Sequence, residues 1–168
     1  MSVLPILIYG DTRLRQVAVP VVVDAGARRL AADLVDTMYD APGRGLAAPQ
    51  VGKNRRMFVM DCYWKDGAER APLVVVNPEM SDPAPELVTF PEGCLSIPDI
   101  MVEVTRPLEI TMHWSDLSGE IFARRLRGFE AICAQHEYDH LDGVLNTDLV
   151  PEAARSDIAE RLAALAAA

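Results

Sequence analysis

Near its C-terminal end the chain reads Gln135-His136-Glu137-Tyr138-Asp139-His140-Leu141-Asp142-Gly143, a stretch whose residue types and spacing can do chemistry. On an α-helix, four residues amount to about 400° of rotation and ~6 Å of rise. His136 and His140 therefore leave one face, a turn apart, where two imidazoles can share a metal ion. Glu137 follows the first histidine, so its carboxylate can reach a water on that ion and take its proton. This H-E-x-x-H spacing is that of hydrolytic metalloenzymes. Two solvated histidines would give the same short pattern. Here, however, Ala131, Ile132, Cys133 and Ala134 make the preceding turn apolar, which predicts a buried helix, and Gly143 reads as its stop. Buried imidazoles and carboxylates need partners, and a metal is the most economical one.

A hydrolytic metal site usually has three protein ligands and an open position. The extended pattern H-E-x-x-H-x-x-G-x-x-H fails here, because Gly143 fits but the final position is Asn146. Other such sites take a downstream Glu, of which only Glu152 and Glu160 remain in the tail, and Glu160 suits an exposed helix face. His113 alternates with Met112 and Trp114 on a predicted strand and shares the wet side with Glu109 and Thr111. That leaves the thiols. Cys62 ends an apolar strand and reads as core. Cys133 lies three residues before His136 on roughly the same helix face, though in an apolar run where cysteine behaves as a small hydrophobe. Cys94 sits in Pro91-Glu92-Gly93-Cys94-Leu95-Ser96-Ile97-Pro98, a segment able to present a side chain and free backbone N–H groups. Spacing favours Cys94 over Cys133 and leaves both open.

The elements that must position these residues follow from periodicity and punctuation. Residues 1–20, with Pro5, Pro20 and the Gly10-Asp11 turn signal, read as an extended surface segment. From about Arg28, the apolar set Leu30, Ala31, Leu34, Val35 and Met38 predicts an amphipathic helix ending before Pro42-Gly43-Arg44-Gly45. Strands are predicted over 56–61, 73–76, 88–90, 101–105, 108–114 and 120–126, with Ser118-Gly119 as a hairpin turn. The helix around His136 follows. Pro151 then opens a last helix, at about 151–167, with Ile158, Leu162 and Leu165 on one stripe. Strands clustered mid-chain between helices predict an α+β fold, with antiparallel or mixed sheets packed around the H-E-x-x-H helix. Residues 1–168 are read as one domain.

Composition narrows the partners. A formal charge of −9 argues against direct nucleic-acid binding, which needs clustered Lys and Arg. No apolar run approaches the ~20 residues of a membrane span, and the first residues lack the marks of a signal peptide. With three widely spaced cysteines, reduced thiols and a cytoplasmic location are expected.

Three segments together resemble the peptide deformylase family. Gly43-Arg44-Gly45-Leu46-Ala47-Ala48-Pro49-Gln50 is similar to its first motif, G-x-G-L-A-A-x-Q. Glu92-Gly93-Cys94-Leu95-Ser96 is similar to its second, E-G-C-L-S, and Gln135-His136-Glu137-Tyr138-Asp139-His140 to its third, Q-H-E-x-D-H. Order and spacing also match, and the resemblance spans about residues 3–150. It implies Cys94, His136 and His140 as metal ligands and Glu137 as general acid/base. It further implies the Gln50 amide and the Leu95 backbone N–H as donors to the formyl oxygen, and Gly45 with its neighbours as the segment with which the substrate backbone pairs as an added strand. The implied reaction removes the N-formyl group from the initiator methionine of nascent polypeptides. The implied metal is Fe²⁺, with Zn²⁺, Ni²⁺ or Co²⁺ as substitutes. Pro42 and Met101 stand where many members carry an acidic residue and an arginine, and Arg44 stands at an often aliphatic position. Arg44 is thus expected to bring positive charge to the substrate groove. A transient ribosome contact is compatible with the family, but the tail lacks a basic helix, since Glu152, Asp157 and Glu160 offset Arg155 and Arg161.

Overall fold

A computed structural model describes residues 2–168. Its elements are α1 (Ala25–Asp40), β1 (Gly45–Ala47), β2 (Met57–Met60), β3 (Leu73–Ser81), β4 (Leu87–Cys94), β5 (Ile97–Pro107), β6 (Glu109–Ser115), β7 (Ile121–Arg127), α2 (Gly128–Leu141) and α3 (Glu152–Ala167). Five strands pair in the order β1-β2-β3-β6-β7, and β4 and β5 form a separate two-stranded sheet. These strand pairs are all antiparallel, so the fold is α+β.

Strand β2 explains the layering. All four of its residues are buried, and successive side chains leave opposite faces of a sheet. Met57 and Val59 pack with Leu30, Leu34 and Met38 of α1. Phe58 and Met60 pack on the other side with Ala131, Ala134 and Leu141 of α2. Helix α1 begins where Asp24 Oδ1 accepts the Ala27 N–H at 2.7 Å, satisfying one of the donors a helix start leaves unpaired. Helix α2 stops at Gly143, which adopts φ 72°. A Cβ there would also lie 2.5 Å from the Arg15 carbonyl oxygen, because the N-terminal segment runs against this helix end. Glycine is needed there on both counts.

A third apolar cluster joins Ile97, Ile100, Val102 and Val104 of β5 to Leu145, Val150 and Leu162, with Ile158 and Leu165 packed against it. This is the stripe predicted for the last helix. The cations of α3 are engaged within the chain: Arg155 donates to the Thr147 and Asp148 carbonyls, and Arg161 to the Asp99 carbonyl.

Several boundaries differ from expectation. β1 was not foreseen. β3 runs past Val76 through a bulge at Asn77, which adopts φ 50°. There the Asn77 amide brackets Val21, accepting from its N–H at 2.7 Å and donating to its carbonyl at 2.9 Å. β4 continues through Pro91 and Gly93 to Cys94. The N-terminal segment is not wholly superficial, since Leu14 and Ala18 are buried. No helix among the described residues is long and apolar enough to cross a membrane.

Candidate metal centre

Strand β4 and helix α2 meet at the site. Period two puts Glu92 and Cys94 on the same buried face of β4, and helical spacing puts His136 and His140 on one face of α2. Cys94 Sγ lies 3.4 Å from His140 Nε2, and the two Nε2 atoms are 3.3 Å apart. Among the described residues, Cys94, His136 and His140 form the one group of three such side chains whose ligand atoms all lie within 4.8 Å of one another. A thiol and two imidazoles converging at this range fit a divalent cation of borderline softness, such as Zn²⁺ or Fe²⁺.

The other candidates lie apart from this group. His113 is exposed, with Ser81 Oγ 3.0 Å from its Nε2. Glu152 and Glu160 are exposed on α3. Cys62 belongs to the core and Cys133 packs against it. The neighbouring Cys62 thiol, and then burial, hold the Cys133 thiol far above its ordinary pKa, whereas a metal ligand must be a thiolate.

Behind the cluster stands a chain of charges, buried at Glu92 and Arg106 and half-buried at Asp139. Glu92 Oε2 lies 2.8 Å from His136 Nδ1. Arg106 grips the same carboxylate through Nε at 2.5 Å and Nη2 at 3.1 Å, and reaches Asp139 Oδ2 through Nη1 at 2.8 Å. Glu92 therefore occupies Nδ1 and leaves Nε2 of His136 to face the cluster. Burial pulls His136 down, but the Cys94 thiol and the Glu92 carboxylate outweigh it and hold its pKa well above the ordinary imidazole value. His140, buried and facing His136, is pulled well below that value. Burial likewise opposes ionisation of Glu92, yet His136 and Arg106 prevail and its pKa is lowered.

Glu137 is different in kind. Its side chain is buried, Oε2 has no hydrogen-bond partner among the described residues, and burial pushes its pKa up to about 7. An unpaired carboxyl poised near neutrality is suited to moving protons. Its Oε1 lies against Gly45, where any Cβ would overlap it. Close approach of backbone to carboxyl thus requires glycine at this point of β1.

Gln50 is buried at the same place. Its Oε1 accepts the Ala47 N–H at 2.9 Å, which turns Nε2 toward Ser96 Oγ at 3.1 Å and Cys94 Sγ at 3.7 Å. Leu95 is the first of two turn residues joining Cys94 to its β5 partner Ile97. In β5, residues 98–101 bulge opposite Gly93 alone, since Ile97 pairs with Cys94 but Val102 with Glu92. A cavity of about 690 Å³ opens over these groups, lined among others by Arg44, Gly45, Gln50, Cys94, His136 and Glu137. Arg44 is not a free cation. It pairs with Asp66 at 2.9 and 3.0 Å and donates to the Cys62 carbonyl.

Sequence reasoning assigned no role to Glu92, Arg106, Asp139 or Ser96. Arg106 carried a signal nonetheless. It continues the buried phase Val102, Val104, Arg106 of an alternating strand, and a buried cation needs an anionic partner.

The chain is similar to known proteins in sequence and in fold. The profile of the family described as polypeptide deformylase matches residues 3–156. A peptide deformylase of Rhizobium meliloti is 46% identical over 162 residues, covering 96% of this chain and 92% of the relative. One of Alkalilimnicola ehrlichii is 48% identical over 163 residues, covering 96% and 90%. The crystal structure of the Thermotoga maritima peptide deformylase superposes with a TM-score of 0.84 at 39% identity, covering 90% of this chain and 99% of that one. The chain belongs to the polypeptide deformylase family.

Proposed function

We propose that the chain is a metal-dependent hydrolase that removes the N-formyl group from the formyl-methionine of newly made polypeptides and releases formate. Family membership supports this reading. The observation that carries it is an unpaired, buried Glu137 carboxyl beside a convergent Cys94–His136–His140 set in one cavity. Those three residues would hold the ion. When bound, it supplies Lewis acidity and makes water more acidic. Fe²⁺ is the ion inferred in the cell, on the family resemblance; Zn²⁺, Ni²⁺ and Co²⁺ suit the same donors.

The chain's own groups divide the remaining work. Glu137 accepts a proton from the attacking water and returns one to the leaving amine. Gln50 Nε2 and the Leu95 backbone N–H donate to the formyl oxygen as negative charge grows on it; one such donor is typically worth ~3–4 kcal/mol. Gly45 and its neighbours in β1 receive the substrate backbone as an added strand. Residues 1–168 act as one catalytic domain in the cytoplasm, with nascent formyl-methionyl peptides as partners. Any ribosome contact is transient, because Arg155 and Arg161 are already engaged within the fold.

A metallopeptidase using the same helix would cut internal peptide bonds. Mass analysis of products from formyl-Met-Ala-Ser, with formate measured in parallel, tests the reading. Loss of the formyl group from an intact peptide is expected; cleavage between Met and Ala without formate would overturn it.

A further inference from the structure

One wall of the cavity is polar in an unusual way. Arg44 lines it together with Phe129, Ile132 and Cys133, and its guanidinium carbon lies 5.3 Å from the centre of the Phe129 ring. Ile132 and Cys133 precede His136 by about one helical turn and Phe129 by about two, so they lie within ~10 Å of it along α2. Glu137 and this wall line the same cavity, so the side chain of a first residue whose formyl group sits beside Glu137 is within reach of the wall.

The wall is preorganised. Trp64 Nε1 donates to the Gly43 carbonyl at 2.9 Å, and Lys65 Nζ to the Pro42 carbonyl at 3.0 Å. These bonds fix the turn that carries Asp66 against the segment before β1 that carries Arg44. Asp66 balances the positive charge, which removes most of the pull on a carboxylate. It does not use up the donors. A guanidinium has five N–H groups, and the bonds to Cys62 and Asp66 engage three. The Nε–H and one Nη2 hydrogen have no acceptor among the described residues.

Spare donors on a charge-balanced, otherwise apolar wall suit a side chain with an aliphatic stem and a neutral acceptor at its end. Methionine sulfoxide has that form, being the methionine thioether with one oxygen added. A fully apolar wall would strip water from that oxygen and give nothing back.

We propose that Arg44 sets the specificity for the first residue, allowing the cavity to accept formyl-methionine sulfoxide alongside formyl-methionine. The inference rests on the deformylase reading above. The test measures kcat/KM for formate release from formyl-Met-Ala-Ser and from both sulfoxide epimers of the same peptide, with wild type and Arg44→Leu. The ratio of the two substrates within each protein cancels any general loss of activity. Wild type is expected to handle its better epimer within about tenfold of methionine, and Arg44→Leu to worsen that ratio by a further ~10-fold or more, the scale of a lost charge-assisted hydrogen bond. An unchanged ratio in Arg44→Leu, or a wild-type penalty beyond about tenfold, would overturn the role of Arg44. If Arg44→Leu does not fold, Arg44→Met takes its place, with the same expected change of ratio and the same overturning result. Absence of formate from formyl-Met-Ala-Ser would instead overturn the deformylase reading and the inference with it.

Discussion

Glu92 and His136 meet at 2.8 Å, carboxylate to Nδ1, with both side chains almost out of solvent. The contact fixes one ring of the metal set from behind. His140 has no counterpart, since its Nδ1 is buried without a partner among the described residues. The two histidines are thus held differently, one by a charge chain through Arg106 to Asp139 and the other by packing.

From this asymmetry, Glu92→Gln should weaken metal binding more than it weakens the fold. The amide keeps the shape but loses the charge that orients and strengthens His136, and losing such a partner typically costs ~10–100-fold in affinity. Competition with a chelator gives the affinity directly. Unaltered affinity in a folded variant would mean that Arg106 and packing hold the ring without help.

Gly45→Ala should lose turnover with its metal retained. The new Cβ would overlap Glu137 Oε1, and a misplacement of about 1 Å in a reacting group costs ~100-fold. The backbone at Gly45 does not adopt positive φ, so the strand itself tolerates alanine. Metal content, melting temperature and formate release on one preparation separate the two effects. Full activity would show that Glu137 moves aside freely.

How much of this was legible beforehand depended on the range of the signal. Helix α2 announced itself locally, through His136, Glu137, His140 and the stop at Gly143. Helix α1 did so through its apolar stripe. Strand β1 carries only three residues, too few for a period, and exists because Gly45–Ala47 pairs with Met60–Phe58. β3 outran its prediction because Asn77 and Pro78 read as breakers, whereas a bulge accommodates both. β4 outran its own for a related reason, as a strand of a two-stranded sheet can carry Pro91 and Gly93. At the site, motif spacing brought out Cys94, His136, Glu137 and His140. The charge chain did not emerge, because Glu92, Arg106 and Asp139 become neighbours only when β4, β5 and α2 pack together. The same holds for Arg44, whose partner Asp66 sits 22 positions away.

Acid should weaken the fold partly through Asp148. Burial raises its pKa, but the bonds from Arg15 and from the Leu145 N–H prevail and hold it below the ordinary value of 3.8. Between the folded and unfolded pKa values the unfolded chain binds more protons, so stability rises with pH there. The contribution is complete above the ordinary carboxylate range and is lost as pH falls through the lowered folded value. Urea midpoints of wild type and Asp148→Asn should therefore differ by a constant amount above about pH 5 and converge on acidification. A gap independent of pH would rule this linkage out.

The most direct measurement of the central claim is formate release from formyl-Met-Ala-Ser by wild type and Glu137→Gln, purified anaerobically, with metal quantified on the same samples. The account predicts that Glu137→Gln keeps its metal while turnover falls by ~10²–10⁴-fold, the usual contribution of a general base. Near-wild-type formate release from the metal-loaded variant would contradict it.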